Sequence, residues 1–182
     1  MSNIPATASG DTQDFDVDNI GTVISVVIGS GIALLALYIG PLFVSAYMAK
    51  LDVSESQAGL IVSTEMAGFM LGAAALFIIA RLNWRKIMTT ALLIMVVGNT
   101  SLLFIDNLTI FVVCRIITGF GAGIVMTMTL QVIGLMRNPD TVYGMWTVGQ
   151  LSIGAVGLIV FPIVIVGYGI DFVFLSWAAL AA

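Results

Sequence analysis

The sequence contains no histidine and a single cysteine, Cys114. Histidine is the commonest general base and metal ligand in proteins, so its absence disfavours Ser–His enzymes, haem bundles and di-iron bundles together. One cysteine cannot form an intramolecular disulfide or a thiolate metal cluster. Because no nucleophile with a base and no metal cage can be assembled, we expect a protein that is not an enzyme and has no cofactor or metal.

Charge is also scarce. Only 9% of the 182 residues are charged and 60% are hydrophobic, whereas soluble domains carry about 25% charged residues. Four of the ten acidic residues lie in the first 20 positions, and the formal net charge of -4 gives no support for a nucleic-acid partner. The composition predicts an integral membrane protein whose main partner is the lipid bilayer.

Long apolar runs separated by short polar loops predict an all-α membrane domain over residues 21–182, after an acidic, disordered cytoplasmic tail over residues 1–20. A kink is expected at Gly40-Pro41 in the first run. The last run has only 13 residues, about 20 Å of helix against a hydrocarbon core of roughly 30 Å. We therefore expect an incomplete sixth span and a fragment of a longer chain. The predicted spans are 21–49, 58–80, 87–105, 108–136, 143–166 and 170–182.

The distribution of basic residues predicts the orientation. Arg81, Arg85 and Lys86 form a basic loop after the second span, and Arg137 lies on the same side, while the opposite loops hold only Lys50. Lysine and arginine bias sets the topology of membrane proteins. We expect a multi-pass protein of the cell (inner) membrane with a cytoplasmic N terminus.

Two ionisable residues, Glu65 and Arg115, fall well inside predicted spans. Intramembrane charges are costly and are candidates for a functional site by default. Each lies about eight residues beyond the preceding loop, roughly 12 Å deep, so the two are at matching depth. The sequence predicts an ion pair or a shared proton site for coupling or substrate binding, with a purely structural helix lock as the alternative.

Glycines follow both charges at helical spacing. Gly68 and Gly72 share a face with Glu65, and Gly119 and Gly123 share a face with Arg115. Such faces permit close helix packing, which is the simplest role for these glycines.

Among the remaining polar residues inside spans, Gln150 is the strongest candidate for solute contact, because a primary amide is hard to satisfy within its own helix. An interhelical hydrogen bond is the alternative for Gln150.

The segment Arg115-Ile-Ile-Thr-Gly119-Phe-Gly121-Ala-Gly123 resembles the fourth-helix motif of the major facilitator superfamily (MFS). The basic loop is similar to a second signature of that family, although Ala80 stands where an aspartate is expected. The resemblance implies the N-terminal six-helix half of an MFS transporter, a 3+3 inverted repeat that needs a C-terminal half of the same chain. It further implies that Arg115 and Thr118, with Ser30 and Tyr38, line the solute path.

These observations predict a secondary active transporter that moves a small solute by alternating access, as a symporter or antiporter, with proton coupling through Glu65 and Arg115 as one mechanism. Two alternatives stay open at this point. A complete small oligomeric channel or half-transporter would be eliminated by a longer reading frame, and a non-transporting membrane scaffold would change only in stability when Glu65 or Arg115 is substituted.

Overall fold

The computed structural model describes residues 20–79 and 84–181, and the secondary structure of this part of the chain is helical. Most of the predicted tail and Arg81 lie outside the described residues. A short 3-10 turn, Leu102–Phe104, follows the helix that ends at Ser101. The helices are α1 (Ile20–Tyr38), α2 (Gly40–Leu51), α3 (Glu55–Ile79), α4 (Trp84–Ser101), α5 (Leu108–Gly134), α6 (Pro139–Tyr168) and α7 (Ile170–Ala181).

Within the described ranges, four helical segments are long and apolar enough to cross a membrane: Glu55–Ile78, Lys86–Phe104, Leu108–Gly134 and Pro139–Tyr168. The all-helical membrane class is thereby confirmed. The count of six spans, their limits and the 3+3 repeat stay predictions.

The first predicted span is divided into α1 and α2. The break falls at Ile39, directly before Gly40-Pro41, where the sequence predicts a kink. Proline lacks the N–H that would bond to the preceding turn, and it is favoured in the first turn of a new helix. The amides of Leu42 and Phe43 donate to the Ile39 carbonyl at 2.9 and 3.3 Å, and these bonds join α2 to the end of α1.

The start of α5 has a clear local cause. The Asn107 side chain accepts hydrogen bonds from the amides of Thr109 and Ile110, at 3.0 and 3.2 Å. Asparagine is among the preferred N-cap residues because its oxygen satisfies amides that have no partner within the helix. This cap fixes where α5 begins, and therefore the position of Arg115 along it.

Helices α3 and α5 run parallel and touch through their backbones. A Cβ added at Gly68 would meet the Ile116 carbonyl oxygen, and one added at Gly72 would meet the Phe120 carbonyl oxygen. The same contact occurs in the other direction, with glycines of α5 against carbonyl oxygens of α3. Gly119 faces the Glu65 carbonyl, and Gly123 faces the Phe69 carbonyl. We call these four residues, Gly68, Gly72, Gly119 and Gly123, the glycine seam.

The seam explains why these positions are glycine. Only a residue without a side chain lets a carbonyl oxygen of one helix approach the Cα of the other, where Cα–H···O contacts add to the packing. Gly121 lies on a different face of α5, where a Cβ would be 2.8 Å from the Ala91 carbonyl oxygen of α4. The glycines of the fourth-helix motif therefore pack α5 against two neighbours.

Candidate functional site

The structure brings Glu65 of α3 and Arg115 of α5 into direct contact. Arg115 Nη2 donates to Glu65 Oε2, forming an ion pair. Arg115 is 0% exposed and Glu65 6% exposed. The glycine seam sets their separation, because the Glu65 backbone carbonyl itself lies against Gly119. Each charge neutralises the other, which offsets the desolvation that makes a single buried charge costly.

Asn99 of α4 is the third member of this charged cluster. Its Oδ1 accepts from Arg115 Nη1 at 3.2 Å, and its Nδ2 donates to the Met95 carbonyl one turn earlier at 2.9 Å. The bond to Met95 fixes the amide with its oxygen towards Arg115. Asn99 is absent from the residues predicted for the site, although it is a primary amide inside a predicted span, which is the signal that singles out Gln150.

Three aromatic rings lie close to the Arg115 guanidinium. The Cζ atom of Arg115 lies 5.7, 5.9 and 6.0 Å from the ring centroids of Phe43, Tyr47 and Phe174. All three rings are buried. We call Phe43 and Tyr47 of α2 and Phe174 of α7 the aromatic cage. Phe111, one turn before Arg115 on α5, packs edge-on against Tyr47 at a centroid distance of 5.3 Å.

The cage is another part of the site that sequence reasoning missed. The i, i+4 spacing of Phe43 and Tyr47 places both rings on one face of α2 and was the available signal. Nothing in the sequence relates that face to Phe174, which lies about 130 residues further along.

A second polar cluster lies between α1 and α6. The Ser30 hydroxyl accepts from Gln150 Nε2 at 2.5 Å and from Trp146 Nε1 at 2.8 Å, and it donates to the Val27 carbonyl at 3.2 Å. With its amide turned over, Gln150 would instead accept from Ser30, from the Gly31 amide and from Trp146. In either orientation Gln150 makes an interhelical bond, and it is 1% exposed.

The other predicted residues lie at several places along the bundle. The Thr118 hydroxyl donates to the Arg115 carbonyl of its own helix at 2.9 Å. The half-buried Tyr38 ring packs over Gly154 of α6. In the basic loop, Arg85 lies in α4 and Lys86 is exposed.

An open groove of about 350 Å³ runs between α4 and α5. Its lining is mostly aliphatic and its position faces outward, so it suits an acyl chain better than a polar solute. The residues that line it are Thr90, Leu93, Ile94, Val97, Gly98, Ser101, Cys114 and Ile117.

Four helices that can span a bilayer, two of them packed backbone to backbone around a buried ion pair, are typical of a multi-pass membrane protein. The chain belongs to the sugar (and other) transporter family, whose sequence profile matches residues 11–175. This family is part of the MFS and consists of transporters rather than enzymes, so the predicted resemblance of the chain to the MFS is confirmed. Comparisons with curated proteins and with solved structures gave no match.

Proposed function

We propose that this protein is a secondary active transporter that carries a sugar or another small polar solute by alternating access, and that Glu65 and Arg115 couple transport to protons. The ion pair between two helices able to span the membrane is the observation that carries the proposal. The family supports the solute class, because its description names sugars first.

The coupling follows from the electrostatics of the pair. In a low-dielectric interior the attraction between a carboxylate and a guanidinium is strong, and protonation of Glu65 removes the negative partner. The proton therefore weakens the attraction between Glu65 of α3 and Arg115 of α5. A proton and a solute are coupled when each shifts the balance between the inward-open and outward-open states, which is the role proposed for this pair.

The solute-binding role falls to Arg115, Thr118 and Gln150. A guanidinium donates hydrogen bonds in a fixed fork that suits hydroxyl-rich or anionic solutes. The hydroxyl and amide of the Ser30–Gln150 cluster are the same groups that bind sugar hydroxyls. They bond to each other in this conformation, so we propose that the solute replaces the Ser30–Gln150 bond when α1 and α6 separate.

Uptake into proteoliposomes tests both parts of the proposal. The full gene product is reconstituted, an inward proton gradient is imposed, and accumulation of radiolabelled glucose, galactose, xylose and sorbitol is measured across a pH range. We expect at least one solute to accumulate with the wild-type protein. Glu65→Gln should abolish accumulation against a gradient while leaving exchange of solute across the membrane, because the neutral amide cannot carry the proton.

The matched control is Glu55→Gln, which removes an exposed carboxylate from the same helix and should leave accumulation unchanged. Unaltered rate and pH dependence in Glu65→Gln would rule out the coupling role. Failure of well-folded protein to move any member of the panel would rule out these four solutes as substrates.

A further inference from the structure

The aromatic cage lies against a cation, Arg115, that already has a carboxylate partner. Its three rings are nearly parallel: Phe43 and Tyr47 are stacked with an interplanar angle of 13°, and Phe43 and Phe174 with one of 5°. All three centroids lie within the distance at which a cation is attracted to the electron-rich face of an aromatic ring. Packing alone does not require three buried rings to converge on one guanidinium.

Arg115 loses its carboxylate partner whenever Glu65 is neutral, and a source of negative potential that does not depend on Glu65 would then stabilise it. Among the groups that bond to Arg115 from the other helices are the Glu65 carboxylate of α3 and the Asn99 amide oxygen of α4. Once Glu65 takes up a proton, the buried cation loses the attraction of a full negative charge, and an amide dipole is a weaker counterpart. Ring quadrupoles cannot be protonated, so the attraction of the cage persists in both protonation states of Glu65.

We propose that the aromatic cage is the second counter-charge of Arg115, and that Phe43, Tyr47 and Phe174 hold the guanidinium in place while Glu65 is neutral. These residues are positioning residues, since they act on the solute only through Arg115. The inference deepens the proposed function and rests on it for the step in which Glu65 is protonated.

The helices that supply the cage give the proposal a mechanical consequence. Two rings come from α2 and one from α7, and the same two helices are joined near one end by the Lys50–Asp171 ion pair. When the Glu65 carboxylate of α3 is neutral, its attraction for the guanidinium is lost. The attraction of the rings on α2 and α7 then remains. Protonation of Glu65 is thereby converted into a preference for packing α5 against these helices.

A double-mutant cycle on thermal stability tests the cage without requiring a known solute. The full gene product is purified in lipid nanodiscs, and the midpoint of thermal unfolding is measured for Glu65→Gln, Phe174→Leu and the double variant. Glu65→Gln imitates the protonated carboxyl group, while Phe174→Leu removes one ring but keeps apolar volume. If the cage replaces the missing counter-charge, the double variant should lose roughly 5 °C more than the sum of the two single losses.

Three controls separate this effect from simple loss of packing. Phe161→Leu removes a partly buried ring of α6 and should combine additively with Glu65→Gln. Phe174→Trp keeps an aromatic face, so its effect on the unfolding midpoint should add to that of Glu65→Gln without an extra loss. In a Glu65→Gln, Arg115→Gln background no cation is left to hold, so Phe174→Leu should show no extra loss.

Additive losses for Glu65→Gln and Phe174→Leu would overturn the proposal, as would an equal excess with Phe161→Leu. If Phe174→Leu alone does not fold, Phe43→Leu takes its place in the cycle. A double variant that fails to fold while both single variants and the Phe161→Leu pair fold is the extreme form of the expected result. Unchanged proton-coupled transport in Glu65→Gln would rule out the proposed coupling role of Glu65. The stability cycle would still test whether the aromatic cage stabilises Arg115.

Discussion

The two polar clusters of the bundle are held by different kinds of helix contact. Around Glu65 and Arg115, the glycines of α3 and α5 face backbone carbonyl oxygens of the opposite helix. Around Ser30 and Gln150, the glycines of α1 and α6 face side chains instead, as Gly31 faces Ile153 and Gly154 faces Tyr38. Backbone cannot move without its whole helix, whereas a side chain can change its rotamer. The charged cluster therefore lies on a rigid helix pair, and the neutral cluster on an interface that can adapt.

This difference suits a transport cycle in which one interface opens and another stays fixed. Interhelical distance controls the strength of an ion pair steeply, so the charged cluster needs a constant separation. Hydrogen bonds of neutral groups can be exchanged for bonds to a solute at little net expense. We accordingly expect α1 and α6 to separate during transport while α3 and α5 move as one unit.

The largest effect is expected for a variant that disrupts the rigid interface between α3 and α5. Gly72→Ala places a methyl group on the Phe120 carbonyl oxygen, and we expect a loss of ~3 kcal/mol because the two backbones must separate. Gly31→Ala meets only the terminal methyl group of Ile153, which can rotate away, so its loss should stay under ~1 kcal/mol. Thermal unfolding in nanodiscs measures both, with expected midpoint losses of roughly 9 °C and under 3 °C. Equal losses would show that the two interfaces do not differ in rigidity.

A smaller effect is expected in the neutral cluster. Ser30→Ala removes the acceptor shared by Trp146 and Gln150, and a buried donor without a partner destabilises by about 1–3 kcal/mol. We expect ~2 kcal/mol, because Gln150 can turn its oxygen towards Trp146 and recover part of the loss. Chemical denaturation monitored by tryptophan fluorescence measures the change in the free energy of unfolding. Ser152→Ala is the matched control, since that hydroxyl is exposed and donates to the Val148 carbonyl of its own helix. Its removal should change stability by less than ~0.5 kcal/mol.

The parts of this site that could be predicted from the sequence are those that depend on spacing within one helix. The matching depth of Glu65 and Arg115 and the glycines that follow each charge are local properties, and they favoured two adjacent helices in close contact. The partner of Gln150 could not be predicted, because which helix faces α6 is set by the packing of the whole bundle. The aromatic cage and Asn99 were missed for the same reason, since their side chains meet Arg115 from three other helices.

The smallest effect has the opposite sign and sharpens the contrast between the clusters. The Ser30 hydroxyl both donates and accepts, whereas the Tyr47 hydroxyl is fully enclosed and finds no hydrogen-bond partner among the described residues. Tyr47→Phe removes this unsatisfied group and keeps the ring of the cage, so we expect a gain of ~1 kcal/mol, or roughly 3 °C in the unfolding midpoint. Tyr143→Phe is the control, because its hydroxyl donates to the Leu130 carbonyl at 3.1 Å and its removal should not stabilise. A loss of stability in Tyr47→Phe would mean that the hydroxyl has a hydrogen-bond partner in the membrane, and the contrast with the Ser30 hydroxyl would then disappear.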